Sequence, residues 1–355
     1  MVRMLPKSRI TAVLVLGLGC VLLAVGLLLP RFVDARGPVP LDLAETSLSV
    51  TDPAATIGRA YLAGAGDRDP ETVTGEVSRN FAVTFGEPVD GDEAAATVGV
   101  STLRDDMAKS FGDQAGLLDA EVWTMRVDRR TGEAVGEGDT KVAETLGSPA
   151  QDATVEGQWL KFPADPEKRD YRYFDPLLRR AVPASFSRED EVDGHRVYVY
   201  RQEMTAEPVL TAHPGYARLT STVVTPARRD AEGRETAPAT STVSTLHRSG
   251  TREITVEPSS GLIVSVREDL HDYYAAADGT ETGLLLDMHG ETPGDERTAL
   301  LEQAVSVGGE RHVGAWGIAL AAIGAIVTVA AGIAALRPQR RDERAGGPRG
   351  RGSGD

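Results

Sequence analysis

Two uninterrupted apolar runs bracket a chain that otherwise alternates between apolar and polar positions. Residues 10–29, ITAVLVLGLGCVLLAVGLLL, carry no charge, and residues 315–336 repeat that pattern. At ~1.5 Å rise per residue, twenty helical residues span roughly 30 Å, the thickness of a hydrocarbon layer. The pattern predicts two transmembrane helices. Between them the period drops to two. NFAVTF from Asn80, RVYVYRQ from Arg196, RLTSTVV from Arg218, TREITV from Thr251 and GLIVSVRED from Gly261 set β-branched and aromatic residues at alternate positions, as strands with one buried face do. Asp193-Gly194, just before RVYVYRQ, is a favoured two-residue turn and predicts antiparallel pairing around it. A helical signal returns in GDERTALLEQAVSV from Gly294, with spaced leucine, alanine and valine positions.

One pattern occurs twice. Val127–Val135 (VDRRTGEAV) and Val256–Val264 (VEPSSGLIV) both fit V-[DE]-x-x-[ST]-G-x-x-V. The acidic residue opens a turn and the glycine supplies positive φ after it. Each predicts a hairpin, and their separation predicts two β-subdomains of related build. The expected fold class is a mainly β (α+β) extracytoplasmic domain flanked by two transmembrane α-helices. The expected organisation is a cytoplasmic N-terminus at 1–9, a transmembrane helix at 10–29, the β-rich domain at 31–314, a second transmembrane helix at 315–336 and a basic, disordered cytoplasmic tail at 337–355.

Charge sets the orientation. Arg3, Lys7 and Arg9 precede the first run, and six arginines follow the second, so both termini are expected in the cytoplasm with the large domain outside the cell membrane. The formal net charge is −15; each terminus contributes +3, leaving −21 on the region between the apolar runs. Nucleic acid is an unsuitable partner for such a domain. The acidity serves either solubility or repulsion from, and cation-bridged contact with, an anionic wall polymer. The first run is too long for a cleaved signal peptide and lacks a small-x-small site after it. Cys20, the only cysteine, lies mid-run with Gly17 where a lipoprotein-type processing site wants a leucine-like residue. The outer domain therefore has no disulfide and must be stabilised by its core.

The densest aromatic stretch is KRDYRYFDPLLRR, residues 168–180. Alternation places Tyr171 and Tyr173 on one strand face and Arg172 on the other, and Asp175-Pro176 reads as an N-cap opening a short helix through Leu177, Leu178 and Arg179. With Trp159 and Phe162 upstream, Tyr171, Tyr173 and Phe174 either anchor the core or line a groove for an apolar or glycan ligand. In the second apolar run, Gly324, Thr328 and Gly332 recur every fourth residue, a stripe of small residues suited to helix packing.

WLKFPADPEKRDYRYFDPLLRRAVPASF from Trp159, EVDGHRVYVYRQ from Glu191 and TREITVEPSSGLIVSVRED from Thr251 resemble the actinobacterial porin PorA family, whose members carry a domain of unknown function bracketed by two membrane spans. The most specific part is Phe162-Pro163 followed by Arg169-Asp170-Tyr171-Arg172-Tyr173-Phe174-Asp175, with arginine where the family favours a second lysine. The resemblance implies a role in cell-envelope assembly, lipoglycan maturation or envelope-lipid trafficking, and supplies no catalytic residues.

Known catalytic signatures are missing. The six histidines show no zinc-ligand spacing, no metal or cofactor is expected, and there is no G-x-S-x-G, P-loop or dinucleotide glycine pattern. The chain is therefore expected to be a membrane-anchored binding or scaffold protein of envelope biogenesis, not an enzyme. Its expected partners are the cytoplasmic membrane, an envelope lipid or lipoglycan, and envelope-assembly proteins. Two alternatives stand beside that reading: a pore-forming, porin-like oligomer, and a cryptic carbohydrate-active enzyme built on two distant carboxylates.

Overall fold

The computed structural model describes residues 7–32, 38–44, 46–62, 71–136, 138–144, 149–209, 218–225 and 227–336. The chain forms two compact units, one of residues 1–35 and 312–355, the other of residues 36–311.

The first unit holds helix α1 (Lys7–Phe32) and the C-terminal part of the last helix. The second begins with strands β1 (Ser47–Gly58), β2 (Thr72–Asp90) and β3 (Glu93–Arg104), then short helices α2 (Asp105–Phe111) and α3 (Asp113–Gly116). Strand β4 (Leu117–Asp128) is followed by three small strands, β5 (Ala134–Val135), β6 (Lys141–Ala143) and β7 (Gln151–Asp152). Next come β8 (Tyr171–Asp175), β9 (Arg180–Val192), β10 (His195–Pro208) and β11 (Thr220–Thr225). A small ribbon of β12 (Arg228–Arg229) and β13 (Glu235–Ala237) leads to the long strands β14 (Thr240–Val256), β15 (Ile263–Ala275) and β16 (Glu281–Glu291). Helix α4 (Gly294–Leu336) closes the chain.

One antiparallel sheet contains all strands but the ribbon, in the order β7-β6-β4-β3-β2-β1-β16-β15-β14-β10-β9-β8, with β11 beside β14 and β5 beside β4. Its two ends meet through a single segment. Gln158 bridges Glu133, next to β5, and Tyr173 in β8; its N–H donates to Arg172 O at 2.7 Å and its carbonyl accepts from Phe174 N–H at 2.7 Å. The hairpins read from the sequence are present. Val192 pairs with His195 across Asp193-Gly194, and both turn residues have positive φ, 49° and 79°, as a tight hairpin turn demands.

Alternation decides the faces. In β15, Val264, Val266, Glu268, Leu270, Asp272 and Tyr274 are buried, whereas Arg267 and Asp269 are exposed. The outward side of the neighbouring strands carries Glu253, Asp287, His289 and Glu291, none of them buried. Inside sit two large hydrophobic clusters, one around Leu246, Leu270 and Met288 and one aromatic. The first turns of α4 place Leu300, Leu301, Ala304 and Val307 against Val197, Leu262 and Val264.

Three expectations require correction. The flanking transmembrane helices are not supported: α1 and α4 are helical, but among the described residues no helix is long and apolar enough to cross a membrane. In α4 the apolar run is the continuation of a polar stretch that includes Asp295, Glu296, Arg297 and Glu302. There are also not two β-subdomains, because both halves of the repeated pattern belong to one hydrogen-bonded sheet. Finally, Pro176–Arg179 is a turn between β8 and β9 and not a helix. Asp175 caps it all the same, its Oδ1 accepting from Leu178 N–H at 2.8 Å. Of the expected N-terminus at 1–9, residues 1–6 lie outside the described residues and 7–9 begin α1, and the expected tail at 337–355 lies outside them altogether.

Candidate functional site

The repeated pattern explains how the seam of the sheet is built. Asp128 Oδ1 accepts from the N–H groups of Arg130 and Thr131 at 2.7 and 2.9 Å, and Glu257 accepts from Ser259 and Ser260 N–H at 2.9 and 2.7 Å. Each turn ends on a glycine with positive φ, Gly132 at 82° and Gly261 at 76°. A Cβ at Gly132 would lie 2.6 Å from Lys161 O, and one at Gly261 would lie 2.1 Å from Phe162 O. The two turns therefore grip one segment from opposite sides. Phe162 N–H donates to Gly261 O at 2.7 Å and Lys161 Nζ to Arg130 O at 2.6 Å.

That gripped segment carries the aromatic candidates into a single cluster. Trp159 meets Trp123 and Phe174 edge-on at 5.4 and 5.1 Å, and Phe162 stacks on Tyr200 at 4.6 Å and meets Tyr171 at 5.3 Å. All five candidates, Trp159, Phe162, Tyr171, Tyr173 and Phe174, are buried. Burying a large apolar side chain contributes about 1.5–3 kcal/mol, and edge-on aromatic pairs add ~0.5–1.5 kcal/mol. The cluster thus packs the core, yet it also walls cavities. Trp159, Tyr173 and Phe174 border a largely apolar cavity of about 120 Å³ with Leu48, Val83 and Leu300. Tyr171 borders a different, more open cleft of about 880 Å³, lined by charged and apolar groups alike, and Phe162 borders neither.

Beside the apolar cavity lies a buried charge network that the sequence reading missed. Arg248 reaches Asp272 at 2.6 and 2.7 Å and Asp175 at 2.8 and 3.0 Å. Arg252 reaches Glu268 at 2.7 Å, Asp175 at 2.9 Å and Gln202 Oε1 at 2.9 Å. Arg79 donates to Glu268 at 2.5 Å. Gln202 Nε2 donates to the carbonyls of Tyr173 and Val182 at 2.9 and 3.1 Å. Burial works to raise the carboxyl of Asp175, but Arg248 and Arg252 hold it well below the usual carboxylate range. Glu268 is likewise lowered, burial being outweighed by Arg79, Arg252 and Arg248.

A second buried cluster faces β4. Arg179, in the β8–β9 turn with φ 49°, lies 2.6 Å from Glu144 and 3.7 Å from Glu121. Glu121 also accepts from Trp123 Nε1 at 2.9 Å. Burial, with Asp119 nearby, pushes the Glu121 carboxyl up to about 7 against the pull of Arg179.

The small-residue stripe lies in the other unit. A Cβ at Gly324 would fall 2.4 Å from Leu23 N, and one at Gly19 would fall 2.6 Å from Thr328 Oγ1. So α1 and α4 approach closely at Gly19, Gly324 and Thr328. Thr328 Oγ1 donates to Gly324 O at 2.7 Å. The surroundings of Gly332 lie outside the described residues.

These features define a seam-closed antiparallel β unit with an ion-paired core, joined in sequence to helices at both ends. A family model described as Porin PorA matches residues 11–333, and the chain belongs to that family. The resemblance read from Trp159–Phe186 and Thr251–Asp269 is thereby borne out, without its remark on two membrane spans. A curated relative, Porin PorA of Corynebacterium amycolatum, is 26% identical over 306 residues, covering 74% of this chain and 77% of that protein.

Proposed function

We propose that the chain is a porin-like protein of the cell envelope that acts as an oligomer, with its solute path between copies and not through the sheet. The family match over residues 11–333 carries this reading and weighs toward a channel protein over an enzyme. The position of the path is argued from the faces of the sheet. A lipid-embedded barrel turns an apolar band outward and keeps a polar lumen. Here the outward positions hold Arg267, Asp269, His289 and Glu291, and the interior is filled by Trp123, Tyr200, Leu246 and Met288. The test is single-channel conductance of the full chain in planar bilayers. Conductance steps should rise in frequency more steeply than linearly with protein concentration. A total lack of steps at every concentration sinks the reading.

The apolar cavity favours a second reading, a binding component of envelope biogenesis that holds part of a lipid or lipoglycan. Its ~120 Å³ is similar to the ~150 Å³ engineered cavity that accepts benzene. In its present form it takes one ring-sized or branched apolar group, not a whole acyl chain. Native mass spectrometry of the purified chain should then show bound lipid that Phe174→Trp, which fills the cavity, reduces.

A further inference from the structure

Strand β11 has a neighbour on one side only. Among the described residues it pairs with the first part of β14 and with no other strand, from Thr220 opposite Thr245 to Thr225 opposite Thr240. The register of β14 with β15 begins at Thr245, so the residues before it have β11 as their one partner strand. Together they form a two-stranded arm. Residues 222–224 and 240–243 are all exposed, with Val224 at 65% and Val243 at 60%. A two-stranded ribbon with nothing packed against it is marginally stable in water. We infer that the outer edge of β11 is a self-association surface, on which the same edge of a second copy of this chain adds as an antiparallel strand. The inference rests on the oligomeric reading above and names the surface such an assembly would use.

The backbone shows which groups face outward. Leu246 N–H donates to Leu219 O at 3.0 Å, and these residues lie opposite each other one step beyond Thr220 and Thr245. Hydrogen-bonded and non-hydrogen-bonded pairs alternate along an antiparallel ladder. Ser221 and Val223 therefore turn their backbone groups toward β14, and Thr220, Thr222 and Val224 turn theirs to the free edge. Sheets guard such an edge with a charge, a proline or a bulge. None is present here: TSTVVT contains neither charge nor proline, and its register with β14 runs without a shift.

Charge selects the occupant. The chain carries a net −15, and two such chains repel one another over most of their surfaces. No charged residue occurs from Leu219 to Ala227 or from Thr236 to Leu246, so the arm is where two copies meet against the least repulsion. Pairing about a two-fold axis sets outward positions opposite outward positions, and Thr220, Thr222 and Val224 then serve both copies.

The experiment is sedimentation velocity of the full chain in detergent over a concentration series, with two edge variants. Thr222→Pro removes an outward N–H and leaves the hydrogen bonds to β14 in place, and Val224→Lys supplies the missing guard charge. Each should raise the dissociation constant for self-association about tenfold or more, with the melting temperature unchanged. Arg267→Ala, on the outer face of the sheet, should associate as the wild type does. Should Thr222→Pro fail to fold, Val224→Lys decides. The inference is overturned if the wild type stays monomeric at every concentration, or if folded edge variants associate like the wild type. The second result leaves the oligomeric reading standing on another interface. Missing conductance steps, not this experiment, sink the channel reading, so the two can fail separately.

Discussion

Both charge clusters are withdrawn from solvent, the one around Asp175 more completely than the one around Arg179, and they differ in their arithmetic. Around Asp175, three guanidiniums from Arg79, Arg248 and Arg252 face three carboxylates, and a neutral amide, Gln202, completes the hydrogen bonding. At the seam, the guanidinium of Arg179 faces two carboxylates, Glu121 and Glu144. The balanced cluster depresses its acids and the acid-rich one raises Glu121 to about 7. Burial alone therefore does not set the sign of a shift; the number of opposite charges within reach does.

The largest break in this comparison is Asp175→Ala. It leaves two buried guanidiniums short of a partner, and removing one side of a buried ion pair costs about 3–5 kcal/mol. Chemical denaturation at pH 7 measures it, and a loss below about 1 kcal/mol would mean that the network does not stabilise the fold.

The contrast is sharpened by pH. Asp175 and Glu268 have folded values below their ordinary ones, so their contribution is present above the usual carboxylate range and disappears as pH falls through the depressed values. Glu121 behaves in the opposite sense. Its folded value exceeds the ordinary 4.5, so stability declines as pH rises from there through about 7, and the penalty is complete above. Glu121→Gln should match the wild type near pH 5 and exceed it at pH 8 by up to about 3 kcal/mol. Parallel stability curves for the two proteins from pH 5 to 8 would remove the distinction between the clusters.

A smaller effect is expected from Gln202→Leu, which leaves the Tyr173 and Val182 carbonyls and one Arg252 donor without their present partner at about 1–3 kcal/mol. Smallest is Arg267→Ala on the outer face. Its pair with Glu291 is solvent-exposed, and such pairs contribute about 0–1 kcal/mol. If that variant lost as much as Asp175→Ala, burial would not be what separates these interactions.

Local order was legible in the sequence and long-range closure was not. Asp193-Gly194 and the twin turns at Val127 and Val256 follow from residue types a few positions apart. The echo was misread as two subdomains because a turn pattern says nothing of which strands its hairpin joins. The charge network left a trace that parity could have found. Arg248 and Arg252 share the alternate positions of Leu246 and Ile254, and Glu268 and Asp272 share those of Val266 and Leu270. Cross-strand register sets Arg252 opposite Glu268 and Arg248 opposite Asp272. Asp175 was read only as a cap, since its arginine partners lie far along the chain. The five aromatic candidates could be named from the sequence, but their division between two cavities depends on which side of one short segment each ring lies. The apolar terminal runs do form helices, and the inference from apolar length to membrane crossing is the part that failed.

The gripped segment also has a kinetic meaning. Lys161 is held by a turn 31 residues earlier, while Phe162 is held by Gly261, far later in the chain. Neither anchor can act until its own hairpin has formed, and bringing such remote points together has a loop-closure entropy that local pairing does not. The meanders of consecutive strands have short loops to close, whereas the seam and the pairing of β1 with β16 join points far apart in the chain and carry the larger closure entropy. These long-range joins cover Trp123, Phe174 and Tyr200, so a chain in which they are unmade exposes surface of the kind that drives aggregation.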